Sequence, residues 1–168
     1  MPSRSVTDRL LLDIAGAKAA RLAAMPPMIG RSFRVSELIQ QIVSDRLQLA
    51  GYHLRNGDIL LGRGEYRTSI SRHYYAMYHA ARAVVFADSK GDDHQGHSVL
   101  PNHLPTNLDG RARWVQDLKF ARLIRNEADY DLYPTKIADW SGDARGLAVI
   151  ASDFTVACND YALSEGLV

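Results

Sequence analysis

The chain has 168 residues, of which 46% are hydrophobic and 23% charged, and its formal net charge is +1. This composition is typical of a folded globular protein and excludes an intrinsically disordered one, while the near-neutral charge excludes a uniformly basic, nucleic-acid-binding surface. The single cysteine, Cys158, excludes an intrachain disulfide and a cysteine-based zinc site, and its place on a helical apolar stripe predicts a buried thiol.

A first helix is predicted over residues 7–25, where apolar residues recur at helical spacing until Pro26 and Pro27 end the pattern. Asp13 interrupts the short leucine run of this helix, which argues against a secretory signal peptide. No apolar run reaches the length of about 18 residues that a membrane span needs. We therefore expect a cytoplasmic protein without a membrane anchor, in which residues 1–35 form an N-terminal helical extension.

A second helix is predicted to begin at Ser36, whose hydroxyl suits an N-cap. Its apolar residues extend to Leu54, and the helix then either continues to Leu61 or breaks at the Asn56-Gly57 pair. Two glycines, at positions 62 and 64, give the next clear end.

The third predicted helix, residues 65–88, has the strongest period. Its main apolar stripe consists of Tyr66, Ile70, Tyr74, Met77, Ala81 and Val84. A second side carries only small residues, namely Ala76, Ala80, Ala83 and Ala87. Small side chains let two helices approach closely, so we expect a tight helix–helix contact here, within one chain or between two chains.

Residues 89–108 have no period and are rich in Gly, Pro, Asp, Asn and His, which predicts a functional or mobile loop. His94, His97 and His103 lie close together there beside two aspartates, but nothing in a glycine-rich loop fixes a ligand geometry, so a solvated loop is favoured over a metal site. Asp109 is the predicted N-cap of a fourth helix that ends near Asp129.

A last helix is predicted over residues 141–164. The pattern as a whole predicts an all-α fold: an up-and-down bundle of four main helices over residues 36–168, with the extra N-terminal helix over residues 1–35.

The most informative segment is residues 125–131, Arg-Asn-Glu-Ala-Asp-Tyr-Asp. Arg125 falls on the apolar stripe of its helix, so it must meet a carboxylate, another subunit or an anionic ligand, because an unpaired buried charge costs several kcal/mol. Asp129 follows one turn later and offers an intrahelical ion pair, while a bound phosphate is the alternative. Asp129 and Asp131 also crowd the end of the helix that disfavours negative charge.

Tyr130 lies about 140° around a regular helix from Arg125. We expect the two side chains to converge only where the helix ends between them or a second subunit completes the site. Tyr75 and Tyr78 fall off the main apolar stripe and are candidates for stacking on bases, whereas Tyr74 is predicted to lie in the core. Arginines near both helices, including Arg72 and Arg122, supply cations, with dispersed surface arginines as the alternative.

The run Ser-Arg-His-Tyr-Tyr-Ala-Met-Tyr-His-Ala-Ala-Arg-Ala at residues 71–83, followed by Arg-Asn-Glu-Ala-Asp-Tyr at residues 125–130, resembles the HEPN superfamily. The similarity covers roughly residues 45–165, and residues 1–35 find no counterpart. The resemblance implies a bundle of four or five helices that forms a homodimer. In many members an arginine, a polar residue and a histidine make a metal-independent ribonuclease motif, and the dimer brings two motifs into one cleft.

Carried over to this chain, Arg125 matches the arginine, Asn126 the polar position, and Tyr130 stands where the ribonuclease form has histidine. Histidine transfers protons well at neutral pH with a pKa near 6.5, whereas tyrosine with a pKa near 10 does so poorly. The predicted site therefore has Arg125, Asn126 and Tyr130 in the motif positions, without a metal or cofactor. The predicted RNA- or nucleotide-binding residues are Arg72, Tyr75, Arg122, Asp129 and His97.

The sequence favours a dimeric protein that binds RNA or a nucleotide in a composite cleft, with weak or absent nuclease activity. It resembles proteins encoded beside minimal nucleotidyltransferases in toxin–antitoxin pairs, which implies a toxin–antitoxin or defence setting and a nucleotidyltransferase antitoxin as partner. Three alternatives stay open: an active metal-independent endoribonuclease toxin that uses Arg125, a protein whose Tyr130 or Tyr133 accepts a nucleotidyl group from a partner enzyme, and a non-catalytic helical interaction module.

Overall fold

The computed structural model describes residues 4–30 and 32–168, and within them the fold is all-α apart from one small hairpin. The predicted bundle of four main helices is confirmed. None of the helices in the described ranges is long and apolar enough to cross a membrane. In chain order the elements are α1 (Val6–Ala15), α2 (Ala19–Ala23), β1 (Met28–Ile29), β2 (Phe33–Arg34), α3 (Val35–Gly62), α4 (Tyr66–Ser89), α5 (Arg111–Tyr130) and α6 (Ser141–Ser164).

The N-terminal segment contains two helices, so the prediction of a single helix over residues 7–25 is wrong. The helix α1 ends at Ala15, with Gly16 as its C-cap, and the carbonyl of Ala17 accepts a hydrogen bond from the backbone N–H of Asp92, 2.9 Å away. A contact with a distant part of the chain thus replaces the local hydrogen bond that would continue the helix, which the periodicity alone does not reveal.

The N-terminal segment shares its hydrophobic core with the bundle. Ile14, Ala17 and Leu22 are buried in the same cluster as residues of all four long helices. The antiparallel hairpin of β1 and β2 then leads directly into α3. The division of the chain into residues 1–35 and 36–168 stays a prediction, and residues 1–3 and 31 lie outside the described ranges.

The helix α3 begins one residue before the predicted N-cap. Arg34, in extended conformation at the end of β2, is the N-cap, and Ser36 lies inside the first turn. The cap position is set by the hairpin, because the N–H of Val35 donates to the carbonyl of Pro27 at 3.0 Å. The helix does not break at the Asn56-Gly57 pair, so the alternative in which it continues is correct, and α3 extends to Gly62.

The small-residue side of α4 packs within the chain, against α3. Ala76, Ala80 and Ala83 have no exposed surface, and His73, on the same side, is fully buried beside α3. A Cβ added at Gly57 would lie 2.7 Å from the His73 ring, so the glycine is needed for this close approach. The tight contact expected from the sequence is therefore the α3–α4 interface.

The segment between α4 and α5 is not a wholly solvated loop, because part of it is buried against the bundle. It contains a single 3₁₀ turn, Leu100–His103, and buries Leu100, Leu104 and Leu108. The prediction that Asp109 is the N-cap of α5 is wrong, because Gly110, with φ of 68°, takes that position. The carbonyl of Asp109 instead accepts a hydrogen bond from the Trp114 indole at 2.8 Å.

The helix α6 follows a 3₁₀ turn at Ile137–Trp140 and matches the predicted last helix. Cys158 has no exposed surface, which confirms its predicted place in the core, and burial raises the pKa of its thiol. Tyr74 is also buried, as predicted.

Candidate functional site

Arg125 lies near the C-terminal end of α5, and its side chain is 18% exposed. Its Nε is 2.7 Å from a carboxylate oxygen of Asp129, a contact that is ionic and lacks the direction of a hydrogen bond. Nη2 donates to the hydroxyl of Tyr75 at 3.1 Å, and Nη1 donates to Oδ1 of Asn126 at 3.2 Å. The predicted ion pair with Asp129 is therefore present, and it accounts for only part of the arginine's surroundings.

The guanidinium of Arg125 keeps unused donors. Each terminal nitrogen carries two N–H groups, and among the described residues one acceptor is found for each nitrogen. Two N–H groups in one plane are left at a partly exposed surface. Unused guanidinium N–H groups are suited to bind a phosphate or a carboxylate.

Tyr130 contacts Arg125 in the same chain. The guanidinium carbon lies 5.4 Å from the centre of the Tyr130 ring and equally far from the Tyr75 ring. The expectation that Arg125 and Tyr130 converge only beyond a helix end or across two subunits is wrong. Five residues advance a helix by only about 7.5 Å, which the long arginine side chain can span. Tyr130 itself is 74% exposed, and Tyr133 is similarly open.

A line of three α4 side chains supports this end of α5. Arg67, Ser71 and Tyr75 follow one another at intervals of four residues and so share one side of the helix. The Ser71 hydroxyl donates to the Asp129 carboxylate, and Tyr75 accepts from Arg125. Sequence reasoning missed the roles of Arg67 and Ser71, although their spacing from Tyr75 is visible in the sequence.

Arg67 explains why negative charge is tolerated at the end of α5. Its Nε donates to the carbonyl of Ala128 at 2.6 Å, and Nη2 donates to the carbonyl of Asp131. The guanidinium also lies over the ring of Trp140. A cation bound to the last carbonyls of a helix offsets the negative end of the helix dipole. Arg67 therefore reduces the repulsion between this end of α5 and the carboxylates of Asp129 and Asp131.

His97 approaches the site from the loop between α4 and α5. Its ring stacks on Tyr78 with the centres 4.2 Å apart, and its Nδ1 is hydrogen-bonded to the hydroxyl of Tyr74. The ring also meets Tyr75 edge-on at 6.4 Å. The loop is therefore ordered against α4, and it places an exposed imidazole beside the tyrosine that contacts Arg125.

The electrostatic environment of His97 is positive. Burial lowers the pKa of its imidazole, and the charges of Arg125 and Arg122 lower it further. Burial also raises the pKa of Tyr74, whose phenol therefore stays protonated. An anion would be attracted to this part of the surface, with a neutral imidazole at its edge.

A pair of imidazoles also lies beside Tyr75. His53 of α3 and His79 of α4 stack with their rings nearly parallel and 5.2 Å apart. Burial, and next the neighbouring His53, lower the pKa of His79 to about 4. The pair is consequently uncharged at neutral pH and contributes aromatic surface rather than charge.

The structure brings together most, but not all, of the predicted site residues. Tyr75, Asn126, Asp129 and Tyr130 surround Arg125 directly. His97 and Arg122 lie near enough to interact electrostatically. Arg72 is exposed and is not one of the described residues that contact Arg125. Its charge acts on His53 instead: burial lowers the pKa of His53 most, and Arg72 lowers it further.

The histidines of the loop do not converge on one point. His94 and His103 stack on each other with ring centres 3.5 Å apart, while His97 turns towards Tyr74. Within the described ranges, no group of three His, Cys, Asp or Glu side chains is placed to hold a metal ion.

Comparison with known protein families identifies one domain. The family model described as HEPN domain matches residues 43–151, which include all of α4 and α5. No curated protein matches the chain, and no solved structure matches it.

Proposed function

The chain belongs to the HEPN domain family, and from this premise we propose that it forms a homodimer that binds RNA or a nucleotide in a cleft shared by two subunits. The observation that carries the proposal is the pair of unused N–H donors on Arg125 at a partly exposed surface. The positive charge that Arg122 and Arg125 place around His97 supports an anionic ligand over a neutral one.

An exposed apolar surface next to Arg125 supports the dimer. We call it the α5 face; its residues are Phe120, Leu123, Tyr130, Leu132 and Tyr133, which are between 47% and 74% exposed. The first three share the side of α5 that points away from the core. Apolar surfaces of this kind mark protein–protein contacts. Within this face the Tyr130 ring contacts Arg125, so a second copy bound at the Tyr130 end of the face would lie beside the Arg125 site.

Nuclease activity is proposed to be weak or absent because Tyr130 occupies the position of the proton-transferring histidine. A phenol is a poorer acid–base catalyst at neutral pH than an imidazole. The toxin–antitoxin or defence setting and the nucleotidyltransferase antitoxin as partner rest on the resemblance to such proteins. The cytoplasmic location stays an expectation from the sequence. An active, metal-independent endoribonuclease using Arg125 and a non-catalytic interaction module are the competing functions.

The binding proposal is tested with fluorescein-labelled single-stranded RNA by fluorescence anisotropy, at low salt because phosphate contacts weaken steeply as salt rises. We expect Arg125→Gln to weaken binding by about tenfold or more. The matched control is Arg113→Gln, since Arg113 also lies on α5 and also pairs with an aspartate four residues later. Wild-type protein that binds neither RNA nor free nucleotides, or equal losses in the two variants, would contradict the proposal.

The catalytic alternative is tested on the same RNA, incubated with the protein in EDTA and resolved on a denaturing gel. We expect the RNA to remain intact. Cleavage that disappears in Arg125→Gln would show that the protein is a metal-independent ribonuclease and would overturn the proposal of weak or absent activity. Cleavage that survives in this variant would point to a contaminating nuclease.

The dimer is tested by light scattering coupled to size-exclusion chromatography. We expect Leu123→Asp, on the α5 face, to convert the dimer to a monomer. Val156→Asp on α6 is the matched control, because Val156 is exposed to nearly the same extent, 56% against 55% for Leu123. A wild-type monomer, or dissociation by Val156→Asp alone, would exclude the α5 face as the dimer contact.

A further inference from the structure

The N-terminal segment, residues 4–30, lies outside the matched domain, yet it is bound to the loop that carries His97. The backbone N–H of Asp92 donates to the carbonyl of Ala17 at 2.9 Å, and Nζ of Lys18 donates to the carbonyl of Asp92 at 2.8 Å. The carboxylate of Asp93 accepts from the N–H of Ala19 at 2.8 Å. Three hydrogen bonds thus join two consecutive loop residues to three consecutive residues of the segment.

The carboxylate of Asp92 anchors this contact inside the protein. Asp92 is only 4% exposed, and its oxygens meet Arg46 of α3 at 3.3 Å and Arg82 of α4 at 2.5 Å. Arg46 also donates to the carbonyl of Ala15 at 2.7 Å. We call this set of contacts the Asp92 junction; it joins the N-terminal segment, the loop, α3 and α4 at one point.

Gly91 allows the segment and the loop to touch. A Cβ built at this position would lie 2.2 Å from the backbone nitrogen of Ala19 and 2.6 Å from its Cα. Backbone atoms cannot yield as a flexible side chain does, so any larger residue at position 91 must push the segment away from the loop. The close approach is therefore a requirement of the junction.

Five residues after the junction, the same loop reaches the candidate site. The Tyr78 hydroxyl donates to the carbonyl of Gln95 at 2.8 Å, and His97 stacks on the Tyr78 ring. The Tyr74 hydroxyl and Nδ1 of His97 are hydrogen-bonded, and in the tautomer where the phenol donates to Nδ1 the neutral imidazole carries its hydrogen on Nε2. His97 thereby offers one N–H donor at the surface beside Tyr75.

We propose that the N-terminal segment is a positioning element for the ligand site: through the Asp92 junction it holds the loop so that His97 donates from Nε2 to the phosphate bound by Arg125. This inference rests on the proposed function for its ligand. The Asp92 junction fixes the beginning of the short stretch 92–97, and the Tyr74 and Tyr78 contacts fix its end. If the Asp92 junction is broken, residues 92–97 can move away from α4, because their remaining contacts are few and near the surface.

The test uses Gly91→Ala in the full chain, with Gly96→Ala as the matched control, because a Cβ at Gly96 meets only the Val99 side chain at an ordinary 3.6 Å. Hydrogen exchange followed by mass spectrometry reports on the loop without any ligand. We expect Gly91→Ala to accelerate exchange in residues 92–99 by about tenfold and Gly96→Ala to leave it unchanged. Unchanged exchange in Gly91→Ala would overturn the positioning role whether or not the protein binds RNA.

RNA binding then tests whether the effect passes through His97. We expect Gly91→Ala and His97→Ala each to weaken binding several-fold, and Gly91→Ala to have no further effect in the His97→Ala background. Independent, additive losses would mean that the segment acts only on stability. If Gly91→Ala does not fold, the milder double variant Lys18→Ala, Asp93→Ala takes its place. Normal RNA binding in a variant whose loop exchanges fast would also refute the proposal, whereas failure of wild-type binding would refute only the proposed function.

Discussion

On the α3–α4 side of the bundle two arginines pair with Asp92, and on the α4–α5 side one arginine pairs with Asp129. The two sites differ in burial. At the Asp92 junction the aspartate is almost wholly enclosed, and Arg46 donates to two backbone carbonyls besides the carboxylate. At the Arg125 site about a quarter of the Asp129 side chain is exposed, and the arginine keeps unused donors.

The difference separates an arginine that builds the fold from one that is open to a ligand. Burial, and next the charge of Arg82, lower the pKa of Arg46 to about 10, as expected for a cation deprived of water and next to another cation. For Arg125, burial acts in the same direction, but Asp129 and Tyr75 outweigh it and raise the pKa. An arginine held by three acceptors in a closed site stabilises the fold, whereas unused donors at an open site are available for binding.

The sharpest test of this comparison is to remove the charge of each aspartate. Asp92→Asn leaves two arginines near the core without a counter-charge, so we expect the free energy of unfolding to fall by about 3–5 kcal/mol. Asp129→Asn keeps an acceptor for Ser71 and leaves Arg125 in contact with water, so we expect a loss of at most about 1 kcal/mol. Urea denaturation followed by circular dichroism measures both. Losses of equal size would break the distinction between the two sites.

A second test concerns the close packing of the α3–α4 side. Gly57→Ala places a methyl group against the buried His73 ring, and we expect a loss of about 1–3 kcal/mol despite the better helix propensity of alanine. Gly51→Ala is the control in the same helix, because the added Cβ would lie 3.6 Å from the flexible Arg55 side chain. There we expect a gain of up to about 1 kcal/mol. A stabilised Gly57→Ala would show that α3 and α4 can separate without cost.

The α3–α4 side should also respond to pH through His79. The pKa of His79 is lowered to about 4 in the folded chain, whereas the unfolded chain has the ordinary value of 6.5. Between these values the unfolded state binds a proton that the folded state refuses, so stability is full above pH 6.5 and is lost as the pH falls towards 4. The charged or titratable groups that act on the pKa of His79 are His53, Arg82, Arg46 and His97. The rings of Tyr75 and Tyr78 also face His79.

The measurement compares wild type with His79→Gln in urea titrations at pH 7 and pH 4.5. Because the ring is partly solvated, we expect less than the full linkage value: the wild-type stability falls by about 1–2 kcal/mol more than that of the variant. Parallel decreases in the two proteins would assign the acid sensitivity to other groups.

The long helices were predictable because their apolar period is set by burial of one side, which the sequence records directly. Two of the errors lie where a contact outside the local pattern decides the local structure. The break after α1 depends on a hydrogen bond from Asp92, and the start of α3 depends on the hairpin before it. Neither partner can be recognised from neighbouring residues, so periodicity and capping rules do not find them.

The candidate site was predictable only where local rules apply. Arg125 attracted attention because a charge on an apolar stripe violates a local rule, and Asp129 one turn later is an obvious partner. The supporting residues Arg67 and Ser71 violate no rule, since both fit an ordinary polar helix side. Their roles emerge only when α4 is placed beside the end of α5. The ordered position of His97 likewise depends on its contacts with Tyr74 and Tyr78, which no local pattern encodes.

The smallest expected effect is a change in RNA affinity when the charge of Asp129 is removed, and it tests the Arg125 site through ligand binding rather than through stability. Asp129 lies against Arg125 and would repel a bound phosphate, so Asp129→Asn should strengthen binding of single-stranded RNA by about three- to tenfold. The matched variant is Asp117→Asn, which removes the carboxylate of the Arg113 pair on the same helix and should change affinity by less than about twofold. Anisotropy titrations at two salt concentrations measure both. Weaker binding in Asp129→Asn would mean that the carboxylate orients Arg125 for the ligand, and that the open site, like the Asp92 junction, depends on its ion pair for geometry.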